Sequence, residues 1–253
     1  MDLGLKGLRA LVTGGTKGIG RAIAETLAAE GADVAICARN RPDVEATVEA
    51  LRLRGVRSTG DAVDVSHGRA LKLFVENAAE TFGGLDIVVA NVSALAIGQD
   101  EDSWRKEFET DMMGTVHLVD AAMPYLEKSR AAAIVAVSSV SGREIDFAAG
   151  PYGVFKAAII HYIQGIAFQL AGKGIRANTI SPGNTYFEGG VWNMIKDNNP
   201  ALYASALALN PTGRMGTPQE MANAAVFLAS PAASFVTGAN LVVDGALTRG
   251  VQF

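Results

Sequence analysis

Two periods of apolar spacing alternate along the chain. Short runs rich in β-branched residues, at 9–13, 33–38, 58–65, 85–90, 131–137, 174–181 and 238–243, have the length and composition of strands. Between them, residues 21–30, 42–54, 67–82, 103–126, 152–170 and 217–229 place apolar side chains at helical spacing. Near-continuous apolar strands alternating with amphipathic helices predict an α/β fold, a parallel sheet covered on both faces. Over 103–126, Trp104, Phe108, Met112, Thr115, Leu118 and Val119 form the expected packing face, interrupted by Asp111. The 152–170 helix is apolar nearly all round, which predicts burial on a second side by a subunit. Residues 184–210 mix Tyr186, Phe187, Trp192, Met194 and Tyr203 with Asn, Pro and Gly. Large apolar residues on an irregular insertion need something to cover, so a substrate lid is expected there rather than a surface helix pair. Thr217-Pro-Gln-Glu220 is a capping box that opens the last helix. No repeat or linker divides the sequence, and one domain over 1–253 with seven strands is the simplest count.

The first strand runs into Thr13-Gly-Gly-Thr-Lys-Gly-Ile-Gly20 and then a helix. Strand, glycine-rich turn and helix place a pyrophosphate on N-terminal helix N–H groups. Gly14, Thr16, Lys17, Gly18, Ile19 and Gly20 are therefore candidate cofactor contacts. In dinucleotide folds an acid near the end of the second strand binds the ribose 2′-hydroxyl. Here that strand ends Cys37-Ala38-Arg39-Asn40, with no acid. Arg39, helped by Lys17, suits a 2′-phosphate, so NADP(H) is expected over NAD(H). Asp64, after the third strand, is a candidate either for the adenine amine or for a turn.

Residues 134–137 end in the hydroxyl cluster Ser138, Ser139 and Ser141, and Tyr152 and Lys156 follow four positions apart. On a helix those two share a face. A phenol keeps its proton to about pH 10, and a nearby ammonium lowers that value. Such a tyrosine exchanges a proton with a carbonyl or alcohol oxygen, and a strand-end serine can hold the same oxygen.

Composition narrows the field. The net charge is −4 and there is no basic block, so the footprint of a nucleic-acid partner is missing. His67, His117 and His161 are scattered, and with the single Cys37 they offer no metal-ligand spacing. Cys37 reads as a small buried hydrophobe. The N-terminal residues lack a signal-peptide core, and no apolar run approaches the roughly 18 residues of a membrane span. A cytoplasmic protein without a membrane partner is expected.

Taken together, these motifs resemble the short-chain dehydrogenase/reductase family over essentially the whole chain. The resemblance rests on the 13–20 turn, Asp64, Asn91, Ser139, Tyr152-x-x-x-Lys156 and Ile175–Gly183. Gly213–Pro218, Phe235–Gly238 and Val243–Gly245 resemble its bacterial 3-oxoacyl-acyl-carrier-protein-reductase-like branch. In the family the serine lies 13 positions before the tyrosine, which selects Ser139. The resemblance implies a doubly wound, Rossmann-type sheet of order 3-2-1-4-5-6-7 in a homotetramer or homodimer. It implies hydride transfer between nicotinamide and a small-molecule carbonyl or alcohol. Tyr152 would be the acid/base, Ser139 would orient the oxygen, and Lys156 would lower the tyrosine pKa and hold the ribose. Cofactor contacts would extend to Asp64, Val65, Asn91, Tyr152, Lys156, Pro182, Gly183 and Thr185. The chain departs from the pattern at Val92 and Ser93, and at Asp111, where the family commonly has asparagine as a fourth catalytic member. A 3-oxoacyl thioester reductase and a non-catalytic NADP(H)-binding regulator are the alternatives.

Overall fold

The structure, a computed structural model, describes residues 2–251. Seven strands form one parallel sheet among the described residues: β1 (Arg9–Thr13), β2 (Asp33–Ala38), β3 (Ser58–Ala62), β4 (Ile87–Ala90), β5 (Ala133–Val137), β6 (Arg176–Pro182) and β7 (Asn240–Val243). Their order is β3-β2-β1-β4-β5-β6-β7. Successive side chains on a strand point to opposite faces, and here both faces are apolar. Leu11, Val88 and Ile134 join Leu71, Phe74, Leu118, Ile159 and Ile163 in one core. Their neighbours Val12, Val89 and Val135 join Ile23, Leu27, Val48, Met221 and Val226 in the other. The first core lies under α3 (Gly68–Phe82), α5 (Gly114–Leu126) and α6 (Pro151–Leu170). The second lies under α1 (Gly18–Ala29), α2 (Arg41–Arg52) and α9 (Pro218–Ala229).

Local chemistry sets the helix ends. The Asn40 side chain accepts the Asp43 N–H at 3.0 Å and starts α2. Thr217 and Glu220 form the expected capping box on α9, with Pro218 in its first turn. Gly83, at φ +78°, takes the left-handed conformation that stops α3.

Four expectations change. The 103–126 segment is not one helix. It consists of α4 (Glu101–Glu107), a π-helical turn (Phe108–Met113) and α5. The extra residue of a π turn shifts the helical phase. Glu107, Asp111, Thr115, Leu118 and Val119 are buried, whereas Trp104 and Phe108 are partly exposed and stack on Phe155 of α6. Second, 184–210 is more regular than its composition suggests. It holds α7 (Val191–Asn198) and α8 (Pro200–Leu209), with a small core of Trp192, Ala206 and Met215. Third, β3 stops at Ala62, so Asp64 stands in the loop beyond it. Fourth, Pro151–Lys173 is long and apolar enough to cross a bilayer by composition. Its inner face, with Ile159, Ile163 and Ala167, instead covers the sheet as part of the first core. Val154 and Phe168 face outward, Phe168 at 89% exposure.

Candidate active site

The sheet order reverses between β1 and β4, and in open α/β sheets ligands bind beyond the strand ends at such a point. The glycine turn leaves β1 there. Gly14 (φ +67°) and Gly18 (φ +53°) adopt a backbone that disfavours any side chain. At Gly14 a Cβ would also come within 2.8 Å of Asn91 Nδ2, and at Gly20 it would strike Asn91 and the Gly14 carbonyl. Asn91 clamps the turn to β4. Its Nδ2 donates to the Thr13 and Gly14 carbonyls at 3.0 and 3.3 Å, and its N–H donates to Thr13 Oγ1 at 3.0 Å. The N-terminus of α1 has neither a side-chain cap nor an acid in its first turn, which leaves its N–H groups for an anion. Bare backbone and uncapped amides fit a dinucleotide pyrophosphate.

Around the turn, Thr16 is buried and Ile19 packs on the second core. Arg39 is exposed at the end of β2, with no ion-pair partner among the described residues. Lys17 is not free as expected: its Nζ lies 3.0 Å from Asp43 Oδ2. That exposed pair is worth about 1 kcal/mol at most. Arg41 pairs with Asp61 at 2.8 Å. Asp64 Oδ1 accepts the Ser66 N–H at 3.0 Å and its hydroxyl at 2.7 Å, so the turn role is realised. Burial opposes its ionisation, but the Ser66 hydrogen bonds outweigh burial and hold its pKa low. Val65 is buried against Gly114. On the far side, Pro182 ends β6, Gly183 N–H donates to the Val243 carbonyl at 3.0 Å, and Thr185 Oγ1 donates to the Gly183 carbonyl at 3.0 Å.

The three serines after β5 have different tasks. Ser138 Oγ donates to the Lys156 carbonyl at 2.9 Å and ties α6 to the sheet. Ser141 Oγ donates to Asp146 Oδ2 at 2.6 Å, and its N–H donates to Ser139 Oγ at 3.2 Å. Ser139 Oγ donates to Ser141 Oγ at 3.3 Å and is close enough to the Tyr152 hydroxyl to favour its ionised form. Pro151 opens α6 one residue before Tyr152, and one turn on, Lys156 is buried. Its Nζ lies 5.5 Å from the Tyr152 ring centre, donates to the Val137 carbonyl at 3.2 Å and sits 2.9 Å from Asp111 Oδ2.

Asp111 thus enters the site through its side chain. It stands on the π turn, and its Oδ1 accepts the Ala94 N–H at 2.7 Å. Its carbonyl accepts the Thr115 hydroxyl at 2.7 Å. Next to it is Glu107, a buried acid that the sequence reading passed over. Glu107, Asp111 and Thr115 recur every four residues, a polar stripe that could have flagged it.

These charges set the protonation of the site. Burial, then the Asp111 charge, pushes Glu107 up to about 8, against the Ala96 amide. Burial works against the Lys156 ammonium, but Asp111 and then Tyr152 outweigh it and hold its pKa above the usual value. Burial also raises Tyr152, and Lys156 and Ser139 only partly reverse this. The expected depression of the tyrosine pKa is therefore not the net effect: burial outweighs the ammonium, and the Asp111 and Glu107 charges add smaller upward contributions. Burial pushes Cys37 up to about 12, so it is no nucleophile.

The sequence pattern of the family described as Enoyl-(Acyl carrier protein) reductase matches residues 14–248. "Isoepoxydon dehydrogenase patN" of Penicillium expansum is 42% identical, covering 100% of this chain and 99% of its own. "3-oxoacyl-[acyl-carrier-protein] reductase FabG" of Chlamydia pneumoniae is 32% identical, covering 98% of this chain and 100% of its own. A 7 alpha-hydroxysteroid dehydrogenase solved with NADH and 7-oxo glycochenodeoxycholic acid superposes with a TM-score of 0.89 at 30% identity, covering 97% of this chain and 96% of its own. With its sheet order, its glycine turn and these matches, the chain belongs to the short-chain dehydrogenase/reductase family of oxidoreductases, and it resembles the FabG branch.

Proposed function

We propose that this protein moves a hydride between NADP(H) and a small or medium carbonyl compound or its secondary alcohol, in one catalytic domain whose lid is 184–210. The observation that carries this reading is the convergence of Ser139, Tyr152 and Lys156 at the strand ends. The nicotinamide, when bound, supplies or accepts the hydride. Tyr152 gives its proton to the substrate oxygen in reduction and takes it back in oxidation. Ser139 donates a hydrogen bond to the same oxygen. Lys156 stabilises the phenolate and holds the ribose. The 2′-phosphate falls to Arg39, with Lys17 released from Asp43; this charge pattern supports NADP(H).

Lid residues support the placement. The Phe187 ring lies over Gly18, where a Cβ would come within 2.6 Å of it. Trp192 of α7 stacks edge-on against Phe147 of the loop before α6, centres 5.8 Å apart. An apolar, ring-bearing substrate suits these walls. A 3-oxoacyl thioester on an acidic carrier protein suits them less, because the lid's cations are engaged. Lys196 sits over Tyr186 at 5.4 Å, and Arg214 pairs with Glu220 at 2.6 Å.

The test is NADPH oxidation, and the reverse assay with NADP⁺, against a panel of ketones, diketones, quinones, a sugar ketone, a 3-oxoacyl thioester and the isoepoxydon couple. Tyr152→Phe is run in parallel. Turnover that vanishes in Tyr152→Phe while cofactor binding persists is the expected result. Near-normal turnover in that variant would overturn the role of Tyr152. Cofactor binding with no turnover in either direction would favour a regulator instead.

A further inference from the structure

Glu107 is fully buried behind the site and has no place in the reaction just described. It lies one helical turn before Asp111, and the two carboxyl groups are within hydrogen-bonding reach. Each uses one oxygen on the loop after β4: Glu107 Oε1 accepts the Ala96 N–H at 2.5 Å and Asp111 Oδ1 accepts the Ala94 N–H. Glu107 Oε2 has no hydrogen-bond donor among the described residues. Asp111 Oδ2 has only its 2.9 Å charge contact with Lys156.

Two buried carboxylates against one ammonium would leave a net negative charge shielded from water, with two acceptors facing each other. One proton between them removes both problems, since it makes one acid a donor and leaves Lys156 a single counter-charge. The remaining groups facing Glu107 do not supply it. From α6 these are Lys156 and Tyr152, the loop after β4 offers only backbone N–H groups, and Lys106 and Glu109 beside it are exposed.

We propose that Glu107 is a positioning residue for the carbonyl/alcohol reaction: in its neutral form it donates a hydrogen bond to Asp111, keeps the Lys156 site electrically balanced, and so leaves Tyr152 able to release its proton. When that proton is lost, the site becomes net negative and the phenolate is disfavoured. Asp111 and Glu107 then act as one unit in place of the family's asparagine. The inference rests on Tyr152 being the proton-transfer group.

Because burial and Asp111 raise the Glu107 pKa to about 8, the change falls within the assay range. The unsubstituted protein should lose about tenfold in kcat/KM for carbonyl reduction from pH 7 to pH 9, as one ionisation is crossed. Glu107→Gln, a fixed mimic of the neutral acid, should keep its pH 7 rate within about threefold and lose that alkaline limb. Infrared spectroscopy of the cofactor-free protein gives a readout apart from turnover. A buried protonated-carboxyl band should be present at pH 7, titrate away near neutral-to-alkaline pH, and be absent in Glu107→Gln. An unmoved limb in a folded Glu107→Gln protein, or no such band in the unsubstituted one, would overturn the proposal. Tyr152→Phe separates the two readings: if it still turns over, the assignment of Tyr152 fails, whatever Glu107 does.

Discussion

Replacing Asp111 with asparagine removes the only carboxylate paired with Lys156 among the described residues, leaving that ammonium buried with the Val137 carbonyl. Breaking a buried ion pair by removing one partner ordinarily costs about 3–5 kcal/mol. Glu107 changes that sum. With Asp111 neutral, the second-largest cause of its raised pKa is gone, and it can ionise and face Lys156. Without the Asp111 charge its pKa lies below the native value of about 8, so ionising it at pH 7 costs at most about 1.4 kcal/mol. Asp111→Asn alone should therefore cost about 1–2 kcal/mol. Glu107→Gln alone should cost less than about 1 kcal/mol, since the amide can still accept from Ala96 and donate to Asp111. The double variant has no carboxylate to offer and should cost the full 3–5 kcal/mol or so, a coupling of about 2 kcal/mol. Urea unfolding of the four proteins at pH 7, at one protein concentration and without cofactor, measures it. Single-variant costs that add to within about 0.5 kcal/mol would show that the two acids do not substitute for each other.

Three further outcomes follow from other parts of the molecule. Arg39→Asp should shift the ratio of kcat/KM values toward NADH by at least tenfold, and an unchanged ratio would remove Arg39 from cofactor choice. Native Glu107 holds a proton that the unfolded chain has released between pH 4.5 and about 8, so stability should fall as pH rises through that window, by up to about 1.4 kcal/mol per unit. Urea midpoints across that range should show a shallower slope in Glu107→Gln; equal slopes would contradict the assignment. Phe168, Val154 and the Trp104–Phe108–Phe155 strip leave large apolar surfaces on one protomer, so sedimentation equilibrium at micromolar protein should report a dimer or tetramer rather than a monomer.

The parts of the fold that depend on short-range pattern were legible in the sequence. The strands follow from apolar or β-branched runs, apart from β3, whose Ser-Thr-Gly-Asp-Ala is mostly polar and half-buried, and their order follows from the family resemblance. Tyr152 and Lys156 meet because they are four apart on one helix, and Ser139 meets them because β5 ends beside that helix. Three features were not legible, each for its own reason. A π turn has no compositional signature, so the phase shift at Phe108–Met113 misplaced Trp104 and Phe108 and hid Glu107. The Asn199-Pro200 junction and the all-round apolarity of α8 obscured a helix pair in 184–210. The hold of Asp43 on Lys17 joins two separate elements, and no local spacing announces it.

An α-helix advances about 100° per residue. Take one residue out of 108–113 and α5 could keep its place on the sheet, because Leu118, Ala122 and Leu126 anchor it there. With the backbone path kept, each residue before the deletion would take its successor's place, putting Lys106 where Glu107 is buried and Glu107 where Phe108 is exposed. The buried acid pair is thus a property of chain length at one point as much as of side-chain identity. Point substitution can tune it, but only an insertion or deletion can create or erase the geometry. Among related chains, this part of the site should therefore change in whole-residue steps, and a one-residue gap in an alignment at the π turn would mark the boundary between two versions of the chemistry.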